Sequence, residues 1–161
     1  KDLLQLVDDK KTEVYLLKKG LSEFELYDDE KVHEVFGFGP EQMVDYKALR
    51  GDTSDNIPGV KGIGEKTATE LIKNFECLDG IYKALKKEDA KIKPAVAQKL
   101  KDDEKNARMS QELSAISIDI KGIEAELEKA EVREFDLEKL QQLFQKFEFV
   151  SSSDLCLYQS S

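Results

Sequence analysis

Residues 51–68 read GDTSDNIPGVKGIGEKTA and hold four glycines, one proline and two aspartates between two apolar-periodic segments. Upstream, PEQMVDYKALR (40–50) starts on a proline and carries apolar residues three or four apart, which predicts a helix closed by Gly51. Downstream, EKTATELIKNF (65–75) places Ala68, Leu71, Ile72 and Phe75 on one face of another helix. The join is therefore a turn-rich loop between helices. Its glycines at 59, 62 and 64 permit positive φ and leave amide N–H groups unshielded. With the partial positive charge of the following helix N-terminus, they form an anion site suited to phosphate. Lys61 and Lys66 add point charges that contact phosphate without reading sequence. The spacing GxxGxG follows a helix and lacks a terminal GKS or GKT, so it is neither a dinucleotide fingerprint nor a Walker loop. It is the spacing of a helix-hairpin-helix, with a plain glycine connector as the bland alternative. Asp52 and Asp55, three apart in the same loop, are hard carboxylates able to face one Mg²⁺ or Mn²⁺. Read by residue type alone, they are better explained as helix caps and Asx-turn formers, since DxxD is common in loops.

Outward from this centre the chain predicts a mixed α/β protein. LLQLV (3–7) and VYLL (14–17) read as strands around a polar turn, FELY (24–27) as a third, and SAISIDI (114–120) as a late strand. Helices are expected over 28–36 with an Asp28 cap, over 79–87, from Pro94 to about Leu113, and from Asp136 through LEKLQQLFQKF. The tail 151–161 is Ser-rich. Phe36, Phe38, Phe75, Phe144 and Phe147 are read as core, Cys77 as a small partly buried side chain, and His33 as surface. Two cysteines and one histidine exclude a disulfide framework, a multi-histidine metal site and a histidine triad. No apolar run is long enough to span a bilayer. The net charge of −9 argues against a general polyanion binder, yet residues 59–101 carry ten Lys against six acids, a local +4. Residues 119–148 carry nine acids against five basic residues, a local −4. Beginning at Lys1 inside an expected strand, the chain reads as a fragment.

The eighteen-residue run resembles, nearly residue for residue, the signature of the 5′-nuclease (flap endonuclease) superfamily. Within it the nearest likeness is the C-terminal part of the 5′→3′ exonuclease domain of bacterial DNA polymerase I. KDLLQLV, PEQMVDYKALRGD, ARMSQELSAISID and LEKLQQLFQKFEF extend the likeness over about residues 1–150. The resemblance implies a partial PIN-like sheet (1–27), a helical subdomain with a helix-three-turn-helix (28–113), and a closing strand and helix (114–150). It implies that Asp2, Asp52 and Asp55 are acidic positions of a two-metal Mg²⁺ or Mn²⁺ site, incomplete here. Lys61, Gly62, Gly64, Lys66 and Thr67 would grip the duplex backbone. Ser54, Val60 and Ile63 fall near the family's K⁺ ligands. The implied partner is DNA with a 5′ flap or nick, bound without sequence preference by a monomeric protein of the bacterial cytoplasm and nucleoid. A covalently linked polymerase domain is the implied neighbour. The parent would be a structure-specific 5′→3′ exonuclease of replication and repair, the chain alone being inactive. The alternative is a non-catalytic helix-hairpin-helix DNA-binding module.

Overall fold

The computed structural model describes residues 1–8, 11–19, 23–122, 131 and 136–147. The chain forms two compact units, Lys1–Asp119 and Ile120–Ser161. In the first, strands β1 (Val14–Lys19) and β2 (Glu23–Tyr27) form an antiparallel hairpin in which Val14 faces Tyr27 and Leu17 faces Phe24. Six helices follow: α1 (Asp29–Phe36), α2 (Met43–Arg50), α3 (Glu65–Phe75), α4 (Leu78–Lys86), α5 (Pro94–Asp102) and α6 (Glu104–Ser114). In the second unit, α7 (Leu137–Lys146) starts at Asp136, whose carboxylate accepts from the Lys139 amide. The serine-rich tail, Cys156 and most of the acidic stretch before α7 lie outside the described residues.

Local chemistry explains most boundaries. Asp28 Oδ1 accepts from Lys31 N at 2.7 Å, satisfying one orphan donor at the start of α1. Gly37, at φ 76°, ends that helix in the left-handed conformation. Pro40 opens a short 3-10 turn that runs into α2. The core of the first unit lies among the helices. Leu49, Ala68, Ile72, Leu78, Ile81 and Leu100 are fully buried there, each large aliphatic side chain contributing about 2 kcal/mol relative to exposure.

Four expectations are corrected. Residues Asp2–Leu6 form a 3-10 turn, not a strand, and residues 116–120 adopt no regular element. A strand needs a ladder partner, and among the described residues β1 pairs only with β2. What joins the two segments is the Gln5 side chain, which donates to Ser114 O at 3.0 Å and accepts from Ile116 N at 2.9 Å. Next, the helix expected from Pro94 to Leu113 breaks at Asp103, which turns its carboxylate onto Lys61 N and the Asn106 side chain. Third, Phe38 is core and Phe36 and Phe75 pack against it, but Phe147 is mostly exposed. Finally, Cys77 is exposed because its sulfur caps α4, accepting from Gly80 N.

Candidate active site

The turn at the end of α2 is built by backbone pairing. Asp52 N donates to Ile57 O at 2.9 Å and Ile57 N to Asp52 O at 2.8 Å, which closes Thr53–Asn56 into a tight turn. Asn56 takes the left-handed conformation there, φ 57°. Gly51 and Gly59 cross back to back. A Cβ on Gly59 would lie 2.3 Å from Gly51 N, so glycine is required by space as well as by its φ of 62°. Gly59 N donates to the buried Ser110 Oγ of α6 at 3.0 Å, and Val60 N to Leu49 O at 2.9 Å. The loop is thus fastened to α2 and α6, and its two acids are held in place.

Asp2, Asp52 and Asp55 each offer a carboxylate oxygen, all within 4.8 Å of one another. Residues 2, 52 and 55 therefore converge although fifty positions separate the first from the others. Lys47, on the last turn of α2, lies among them with its side chain only 5% exposed. Its ammonium donates to Asp2 Oδ1 and, at 2.9 Å, to Asp52 Oδ2. A buried cation held by two acids is the arrangement that makes such burial tolerable. Hydrogen bonds from the Ser54 hydroxyl, foremost, and from Lys47 hold the Asp52 carboxyl far below the usual carboxylate range. Asp52 is therefore a permanent anion at neutral pH.

A cleft of about 270 Å³ opens on this cluster, lined by Asp2, Lys47, Asp55, Ile57 and residues 113–116. Ser114 is among them, and its buried hydroxyl has no hydrogen-bond partner among the described residues. Three hard carboxylate oxygens and an orphaned hydroxyl fit a divalent cation of the Mg²⁺ or Mn²⁺ type better than a softer metal.

The hairpin lies next in sequence. Gly62 has φ 78°, and Gly64 precedes α3 with no side-chain cap and open space where a Cβ would stand. The first amides of α3, at Glu65, Lys66 and Thr67, thus end the helix without a capping acceptor. Lys61 and Lys66 are exposed and Thr67 half-buried. One expected free amide is corrected: the Gly59 N–H is used by Ser110. The Lys61 N–H is taken as well, by Asp103. Of the residues named for a monovalent ion, Ser54 belongs to the acidic turn, where its hydroxyl donates to Asp52 Oδ1. Val60 and Ile63 bury their side chains and close the hairpin through Ile63 N to Val60 O.

Lys47, Ser110, Asp103 and Lys99 escaped sequence reasoning. Lys47 had a signal: it falls four residues after Met43, on the stripe of α2 that should be apolar. Ser110 had a weaker one, three residues after Ala107 on the buried stripe of α6. Asp103 and Lys99 had none.

Residues 38–138 match the family model described as 5′-3′ exonuclease, C-terminal SAM fold. The chain is 41% identical over 149 residues to DNA polymerase I of Bacillus subtilis (strain 168), covering 92% of this chain and 16% of that protein. The thermostable DNA polymerase I of Thermus thermophilus is 40% identical over 152 residues, 94% of this chain and 17% of its own length. A 5′-3′ exonuclease of Bacillus subtilis is 49% identical over 85 residues, 53% of this chain and 28% of that protein. Among solved structures, T5 5′-exonuclease with bound divalent zinc superposes with a TM-score of 0.55 at 26% identity, covering 70% of this chain and 39% of that one. An α/β chain whose helical part sets a carboxylate cluster beside a glycine hairpin is of the 5′-nuclease class. The chain belongs to the 5′-3′ exonuclease family, and it spans about a sixth of the length of its polymerase I relatives.

Proposed function

We propose that this chain is the C-terminal part of a divalent-metal-dependent 5′→3′ exonuclease and flap endonuclease acting on DNA in replication and repair. The observation that carries this reading is the convergence of Asp2, Asp52 and Asp55 on one point, fastened to the start of a glycine hairpin. Asp2, Asp52 and Asp55 would hold the metal, Mg²⁺ or Mn²⁺. When bound, it supplies Lewis-acid stabilisation of charge on a phosphodiester. The chain's own residues position. Lys47 keeps two carboxylates oriented, and the pairing of Asp52 with Ile57 fixes the turn that carries Asp55. Gly62 and Gly64 admit a phosphate to the N-terminus of α3, where Lys61, Lys66 and Thr67 add charge and a hydroxyl. The duplex is gripped without sequence preference, at a set distance from the acids. Three acids do not make a full two-metal site, so the chain alone binds without cutting. A K⁺ at the hairpin, with Ser54, Val60 and Ile63 as candidates, belongs to the same reading. So do a monomer, a cytoplasmic, nucleoid-associated setting, a linked polymerase domain and a flapped or nicked substrate.

Mn²⁺ titration followed by electron paramagnetic resonance tests the metal centre. Wild type should bind Mn²⁺, and Asp55→Asn and Asp52→Asn should each weaken binding at least about tenfold. Equal binding by all three proteins would overturn the assignment. Omitting K⁺ from a duplex-binding assay tests the monovalent site.

A further inference from the structure

Lys99, on the last turn of α5, reaches the hairpin from outside it. Its Nζ donates to Gly62 O at 2.8 Å and would lie 3.0 Å from a Cβ on Gly62. It therefore occupies the space that this glycine leaves open. The residue is exposed, and among the described residues no carboxylate pairs with its ammonium. One of its three donors is used, so the remaining two face solvent beside the hairpin. Four residues on, Asp103 Oδ2 accepts from Lys61 N at 2.7 Å while Oδ1 accepts from Asn106. The end of α5 thus clamps consecutive hairpin residues, 61 through its amide and 62 through its carbonyl. The two clamps differ in sign. Lys99 adds positive charge where a phosphate would approach, whereas Asp103 sets a negative charge against the same loop.

Resting on the proposed duplex-binding reading, we propose that Lys99 is a further phosphate-contacting residue of the hairpin, supplied by α5, and that Asp103 tempers the affinity of that site. A phosphate drawn to Gly62 and Gly64 lies within reach of an ammonium already fixed to the Gly62 carbonyl. Pre-positioning lowers the ordering cost that a free lysine would meet on binding. Lys99→Met keeps the stem and removes the charge.

The test is duplex binding by fluorescence anisotropy over a series of salt concentrations, with the complete 161-residue chain. Lys99→Met should weaken binding about five- to tenfold at low salt and reduce the salt slope by about 1, since one phosphate contact is lost. Lys99→Arg should restore most of both. Asp103→Asn, which still accepts from the Lys61 amide, should tighten binding about twofold. Unchanged slope and affinity in Lys99→Met, with wild type binding normally, would overturn the inference and leave the hairpin reading intact. Weaker binding with an unchanged slope would reduce Lys99 to a structural brace and also overturn it. No binding by folded wild type would instead sink the hairpin reading itself.

Discussion

Glycine 59 and glycine 64 look alike in the sequence and differ completely in the folded chain. A Cβ at 59 would strike the backbone of Arg50 and Gly51, at a φ of 62°, whereas one at 64 meets nothing. Gly59→Ala should therefore cost about 3 kcal/mol, through overlap and a left-handed alanine, read from urea denaturation. Gly64→Ala should leave stability within about 0.5 kcal/mol while weakening duplex binding. Asp52 adds a pH signature. Its folded-state pKa is depressed, so its contribution to stability is present above the unfolded value of about 4 and fades as the pH falls below it. Denaturation midpoints at pH 7 and pH 3 should thus differ less in Asp52→Asn than in wild type. At this scale the sequence was informative about acids and glycines, because their spacing is local. It was silent on which glycine serves the fold and which serves a ligand, since that depends on where α2 and α6 pass.

Helices were legible where apolar periodicity met a cap, as in α1 and α7, and in α3 from its periodicity alone. Strands were legible where the partner lies close in sequence, as in β1 and β2, but not in 3–7 and 114–120: the apolar run of the first and the alternation of the second describe segments suited to pairing, and pairing depends on partners that periodicity cannot supply. The break at Asp103 was hidden for another reason. Aspartate is a weak helix former, but what marks position 103 as the break is tertiary: its carboxylate accepts from the Lys61 amide, forty-two residues away, as well as from the Asn106 side chain. The junction of α2, α4 and α6 carries a testable consequence. Asp45 is partly buried there, bonded to Gln111, and burial raises its carboxyl pKa. A raised acid pKa means that the folded state holds its proton more tightly, so stability from this group rises as pH falls. Asp45→Asn should raise the thermal midpoint by about 3 °C at pH 7 and by much less at pH 4. Ser110→Ala, which strips the Gly59 amide of its acceptor, should lower stability by about 1–3 kcal/mol at either pH.

For the molecule as a whole, the uneven charge matters more than its sum. A chain of net charge −9 that nevertheless concentrates lysines over residues 59–101 should bind duplex with a steep salt dependence, because phosphate contacts release counterions. The functional reading joins two local features, the acids and the hairpin, through one loop pinned at Gly59. Spacing placed Asp52 and Asp55 near the hairpin and the family resemblance added Asp2; the folded chain brings an oxygen of each within 4.8 Å of the others and inserts Lys47 between Asp2 and Asp52. The most direct measurement is a 5′-labelled flap duplex incubated with the protein, with and without Mg²⁺, on paired native and denaturing gels. Salt-sensitive, sequence-independent retardation without cleavage is the expected result, with retardation lost in Gly64→Ala combined with Lys66→Met. A folded protein that neither retards nor cuts the duplex would contradict the backbone grip, and cleavage abolished by Asp52→Asn would contradict the claim that three acids are too few.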